Sequence, residues 1–173
     1  MKIGQLVLMI FSSFLASAKD LETVPFVDVT KYVGTWYQIA RNPLIFEGNC
    51  FCSRQILGLT DNGRASVYNS CNEGSVQGPV REIRGFASVD DPVSNAKFTV
   101  DFNLPHKGTY WIIGLDQEYR YAVVSDARQK SLYILSRTPI LDPTLLDQAL
   151  AEAAQKLDAT RPTMTVQNGC TYP

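Results

Sequence analysis

In KFTVDFN, Lys97 to Asn103, apolar Phe98, Val100 and Phe102 alternate with polar Thr99, Asp101 and Asn103. A period of two is that of a β-strand with one face buried and the other wet. Segments of similar length recur along the chain, separated by turn residues. These are TDNGR at 60–64 with Asn-Gly at its centre, the glycine-rich NEGSVQGP at 72–79, DDPVSNA at 90–96, NLPHKG at 103–108, DQEYR at 116–120 and DARQK at 126–130. The punctuation predicts eight strands, at about 34–42, 50–60, 64–72, 80–90, 97–103, 109–116, 120–126 and 131–137. Eight antiparallel strands joined by short turns form a meander, and closing it removes the exposed edges. The expected fold is all-β, an eight-stranded up-and-down antiparallel barrel.

One stretch has a different period. In LDPTLLDQALAEAAQKLD, Asp142 is placed to N-cap a helix, Pro143 to open it, and Leu146, Leu150, Ala153 and Leu157 to form its apolar stripe. The following PTMTVQN suits a short ninth strand. Three late strand segments, Tyr110 to Leu115, Tyr121 to Val124 and Leu132 to Leu135, are apolar on both faces and need cover on both sides. One face goes into the barrel and the other under the C-terminal helix, which therefore packs on the outside.

The first strand opens with GTWY and the last ends with SRTP, leaving Arg137 directly after an apolar run. First and last strands are neighbours only in a closed barrel. There a guanidinium over the Trp36 indole contributes roughly 0.5 to 2 kcal/mol, and its spare donors can bond nearby carbonyls. Gly34, Trp36 and Arg137 are thus read as the base of the barrel.

GTWY, YRYAVVSD at 119–126 and ILSRTP at 134–139, the last followed by a helix, resemble in order and spacing the three motifs of the lipocalins, across nearly the whole exported part of the chain. More narrowly, GTWYQIARNPLIFEGNC and YRYAVVSDARQKSLYILSRTP are similar to the subgroup of apolipoprotein D and the bacterial lipocalins. The resemblance implies a cup that carries one small hydrophobic ligand: a fatty acid, lysophospholipid, sterol or pigment. It also implies pairing of Cys50 with Cys71 and of Cys52 with Cys170, the swapped pairing remaining open. The family's enzymatic branch, an isomerase with a cysteine thiolate in the cup, is the catalytic alternative; a module that binds proteins through its loops is the other.

Alternation from Trp36 and Arg137 assigns the faces. Gln38 and Ala40 point inward on the first strand, Leu135 and Tyr133 on the last. Ile83, Gly85, Ala87 and Val89 point inward on the fourth, and Phe98, Val100 and Phe102 on the fifth. On the doubly apolar strands Tyr110, Ile112, Ala122 and Val124 are taken inward, leaving Trp111, Ile113, Leu115 and Val123 for the helix. The expected ligand contacts are Gln38, Ala40, Leu57, Val67, Ile83, Ala87, Val100, Phe102, Tyr110, Ile112 and Tyr133. No basic side chain is expected in the upper cup, so a strongly held acid is not indicated. Leu44, Ile45 and Phe46, in the loop after the first strand, are read as a lid that also suits peripheral membrane contact.

Composition narrows the setting. The N-terminal MKIGQLVLMIFSSFLASAKD has one early cation, an apolar run and the small-residue triplet Ala16, Ser17, Ala18, the form of a secretory signal. Residues 1–18 are expected to be removed and 19–173 to form one soluble domain, secreted or periplasmic. With no cysteine directly after Ala18, no lipid anchor is expected. Taking Lys2 from the 16 basic residues leaves a net charge near −2 against 17 acidic ones, with no basic stripe for nucleic acid. Four cysteines in an oxidising compartment predict two disulfides. A zinc site is disfavoured by the one-residue gap between Cys50 and Cys52 and by the solitary His106. No catalytic motif, cofactor or metal site is expected, and the protein is read as a monomer or weak dimer whose partner is a small lipophilic molecule.

Overall fold

The computed structural model describes residues 21–42, 49–61, 63–157 and 162–172. The expected signal segment, residues 1–18, and the expected lid, Leu44, Ile45 and Phe46, both lie outside them. The elements run α1 (Val29–Tyr32), β1 (Gly34–Arg41), β2 (Cys50–Leu59), β3 (Ala65–Glu73), β4 (Val80–Val89), β5 (Lys97–Asp101), β6 (Gly108–Leu115), β7 (Tyr121–Ser125), β8 (Leu132–Ser136), α2 (Pro143–Lys156) and β9 (Thr163–Met164).

Strands β2 to β8 pair in sequence order. β1 closes the ring by pairing with β8 on one side and β2 on the other. Trp36 lies opposite Gln55, and Tyr37 opposite both Arg54 and Ser136. The barrel is therefore closed, as the turn spacing predicts.

Two apolar layers flank the wall. The inner one gathers Trp36, Leu57, Val67, Ala87, Phe98, Ile112 and Leu135 around the barrel axis. The outer one lies under α2 and includes Ile39, Ile113, Val123, Leu132 and Ile134. Asp142 caps α2, its carboxylate accepting from the Thr144 and Leu145 amides, with Pro143 following. The helix is seated on Ala149, Ala153 and the following Leu157, with Leu146 and Leu150 to the side. Small residues in the centre let the helix backbone approach the sheet, which alternation of leucines alone does not reveal.

Three β-bulges change the face assignments. In β1 the register slips between Gln38 and Ala40, so Ile39 and Ala40 both turn outward. The inward placement expected of Ala40 is corrected: the extra residue carries its methyl under α2. In β6 the slip between Ile112 and Gly114 turns Leu115 inward, against its expected place under the helix. In β2 the slip lies between Phe51 and Arg54, where Cys52 has a left-handed φ of 56°. Cysteines two apart on a regular strand share a face; the bulge separates them. Cys50 joins Cys71 and Cys52 joins Cys170, the pairing the resemblance implies.

The C-terminal segment seals a seam. β1 and β2 are registered only as far as Tyr37 and Arg54, after which β9 takes the edge of β1. Gln167 Nε2 then donates to the carbonyls of Gln38, at 2.8 Å, and Ser53, at 2.7 Å, stitching the two strands together.

Candidate ligand-binding site

The closed end is built first, because it sets the floor of the cup. Trp36 is fully buried, and its Nε1 donates to the Tyr32 carbonyl at 2.8 Å. The Arg137 guanidinium carbon stands 3.7 Å from the indole centroid. Its nitrogens donate to the carbonyls of Val33 at 3.0 Å, Thr35 at 3.1 Å and Tyr32 at 3.1 Å, and also to Lys31 and Tyr119. Burial lowers the guanidinium pKa from its ordinary value, and the carbonyl ring offsets that cost. Gly34 has φ of 102°, and a Cβ there would stand 3.3 Å from Arg137 Nη1, so both the turn and the close approach require glycine.

The short helix α1, which alternation did not reveal, presses Tyr32 against Trp36 with ring centroids 5.0 Å apart. Its signal is Asp28, whose side chain accepts from the Thr30 amide as an N-cap. The Tyr32 and Tyr110 hydroxyls meet at 2.7 Å, and Tyr110 donates onward to Gln55 Oε1 at 3.1 Å. Burial raises both phenol pKa values well above their ordinary value, so both stay protonated. A second, wider depression around Lys31, Tyr119 and Arg137 opens on the outside of this plug. It is floored by the groups that hold the barrel shut.

Above the plug lies a cavity of about 520 Å³. Volumes of roughly 300 to 1,000 Å³ suit one small organic ligand. Among the residues named from the sequence, Gln38, Ile83, Val100, Phe102, Tyr110 and Tyr133 line it, joined by Leu135. Leu57, Val67, Ala87 and Ile112 also point inward but lie in the packed layer with Trp36. Ala40 lies outside the wall.

Polar groups missed by the sequence reading occupy one side of the cup. Gln55 and Asn69 face each other across β2 and β3 and line the cavity. Arg81 lines it too, registered opposite Cys71. One further step of alternation from Ile83 would have found Arg81. Arg41 lies opposite Tyr133 and so shares its inner face at the mouth; the β1 bulge puts it there, which alternation from Trp36 could not show. The expectation of no basic side chain in the upper cup is overturned. Arg54 also borders the cavity, but it shares a face with Tyr37 and stacks 5.3 Å from the Tyr172 ring on the outside.

The model of the lipocalin-like domain matches residues 27–166, the span that carries the closed ring of antiparallel strands and the tryptophan and arginine at its plugged end. The chain belongs to the lipocalin family. Its members bind small hydrophobic ligands. The chain is 34% identical over 142 residues to the outer membrane lipoprotein Blc of Citrobacter freundii, covering 80% of this lipocalin and 77% of that protein. It is 33% identical over 155 residues to mouse apolipoprotein D, covering 83% and 78% of the two chains. Insecticyanin of the tobacco hornworm shares the fold with a TM-score of 0.69 at 21% identity, over 85% of this chain and 84% of that one. The amine-binding protein of Rhodnius prolixus, solved with tryptamine, gives 0.63 at 20% identity over 90% of each chain. Among the described residues no helix is long and apolar enough to cross a membrane.

Proposed function

We propose that this lipocalin is an exported carrier that takes one small lipophilic molecule, such as a fatty acid, lysophospholipid, sterol or pigment, into the cup. The observation that carries the reading is the 520 Å³ cavity, walled by Ile83, Val100, Phe102 and Leu135 and set above a sealed floor. Gln38, Tyr110 and Tyr133 supply the few polar contacts that orient a ligand. The packed residues beneath the cavity, Leu57, Val67, Ala87 and Ile112, contribute the floor. The Leu44 to Phe46 loop is proposed as the lid.

The protein acts without covalent chemistry in this reading. All four cysteines are in disulfides, so the thiolate an isomerase needs is tied up. It is proposed to be soluble after removal of residues 1–18, secreted or periplasmic and without a lipid anchor, in contrast to its outer-membrane lipoprotein relative.

The test is uptake of an environment-sensitive apolar fluorophore and its displacement by lipids. Phe102→Asp, which places a charge in the apolar wall, is expected to abolish uptake while the far-ultraviolet dichroism stays unchanged. A wild-type protein that takes up no fluorophore and co-purifies with no lipid by native mass spectrometry contradicts the carrier reading.

A further inference from the structure

The inner face of the mouth is cationic. β3 and β4 register Cys71 with Arg81, and Ile83 with Asn69, so Arg81 stands one inward step above the apolar wall residue Ile83. Its Nη2 donates to Cys50 Sγ at 2.8 Å, and its Nη1 lies 3.9 Å from Glu73 Oε1. The Arg81 side chain remains 47% exposed, within reach of anything entering the cup. Arg41, registered opposite Tyr133 on β1, is 7% exposed. The acids nearby are placed differently. Glu82 borders the cavity, but its carboxylate is turned to the outer face, where it accepts from the Tyr68 hydroxyl at 2.8 Å, and Asp101 pairs outside with Lys107 at 3.1 Å. Glu73, opposite Cys50, shares the inner face of this rim.

Resting on the carrier reading, we propose that the cup selects amphiphiles with an anionic head, a carboxylate or phosphate, held at the mouth by Arg81. The apolar chain runs down along Ile83, Val100, Phe102 and Leu135. The physical reason is twofold. A planar guanidinium fork matches a carboxylate or phosphate in two parallel hydrogen bonds, and charge-assisted bonds are roughly twice as strong as neutral ones. A disulfide sulfur is a weaker acceptor than a carboxylate or phosphate oxygen for the donor that Arg81 turns to Cys50 Sγ. The 3.9 Å contact to exposed Glu73 is of the kind that contributes little and is screened by salt. Gln55 and Asn69, deeper on the same side, offer amides to a head or to polar atoms next to it.

The experiment compares ligands that share a chain and differ in head: oleate, oleoyl lysophosphatidate and oleyl alcohol, each displacing the same apolar fluorophore. Wild type is expected to bind at least one anion about tenfold or more tightly than the alcohol, and less so at high salt. Whether the carboxylate or the phosphate is preferred separates the two sources of the anion. Arg81→Gln is expected to weaken the anions about tenfold while leaving the alcohol within about twofold. Arg81→Lys keeps most of the preference. Arg84→Gln removes the same charge from the same strand, but from a residue stacked outside, 4.3 Å from the Tyr68 ring, and leaves every ligand unchanged.

Equal wild-type affinity for anions and alcohol overturns the proposal, as does an Arg81→Gln loss that is the same for all three. In both of those outcomes the carrier reading stands. A fluorophore that is not taken up at all overturns both together.

Discussion

Removing the side chain of Arg137 tests whether the closed end holds the barrel shut. In Arg137→Ala the indole of Trp36 loses a cation 3.7 Å from its centroid, worth roughly 0.5 to 2 kcal/mol at a part-buried site. The carbonyls of Tyr32, Val33 and Thr35 lose donors at 3.0 to 3.1 Å, and hydrogen bonds to charged groups contribute about 1.5 to 3 kcal/mol each. These contributions are not additive, because the guanidinium is rehydrated on unfolding and water reaches part of the emptied site. A net loss of about 4 kcal/mol is expected, less than the sum of the separate contributions. For a domain of this size that is a fall in Tm of about 8 to 16 °C. Arg137→Lys keeps a charge over the indole but cannot fork to the carbonyls, so it should lose about half as much. Urea unfolding followed by circular dichroism measures both, with an unchanged slope showing that the unfolded state is unaltered. A loss below about 1 kcal/mol for the alanine variant, or equal stability for lysine and arginine, would refute the reasoning. Ligand uptake well below the new Tm should be retained, since Arg137 lies under the floor.

Breaking the two disulfides should have unequal effects, because Cys52–Cys170 closes 118 residues and Cys50–Cys71 closes 21. Loop-closure entropy gives about 5 kcal/mol for the first and about 3 for the second, measured on paired Cys→Ser variants; the reverse order would contradict the loop argument. Gln167→Ala should destabilise by about 2 kcal/mol in urea, because two buried carbonyls across the β1–β2 seam lose their shared donor. A neutral effect would show that the seam closes without it. Asp116 accepts from the Arg120 side chain at 2.8 Å and from the amides of Glu118 and Arg120, and the Arg120 guanidinium leads in holding its carboxyl below the usual range. The folded pKa is depressed, so its stabilisation is present above about pH 4 and is lost as pH falls through the folded value. Wild type and Asp116→Asn should differ in Tm at neutral pH and converge in acid, and parallel curves would exclude the linkage.

The wall of the barrel was legible because its signal is local. Alternation within a strand and turn residues between strands depend on neighbours in sequence, so β1 to β8 were placed to within two residues at each end. Trp36 and Arg137 could be joined across about one hundred residues because closure permits one pairing of first and last strands. The candidate site was legible where strands are regular, as at Ile83, Val100, Phe102 and Tyr110, and illegible past a bulge. Arg41 and Ala40 exchanged faces for that reason. Arg81 sat on a regular strand, and only a step of alternation left uncounted hid it.

By itself, then, the order of apolar and polar residues determined an eight-stranded closed sheet, an outer helix with its cap and a plugged end, while three short motifs carried the resemblance to a family. Tertiary structure decided the rest: the three bulges, the division of Cys50 and Cys52 between partners, α1 folded under the floor, and the C-terminal strand stitched into the seam. A bulge inserts its residue where neighbouring strands and the closing ring demand extra twist, and that demand arises from chain segments far apart in sequence. Face assignments therefore follow from alternation only up to the first place where closure overrules it, and at the mouth of this cup that is where Arg41 stands.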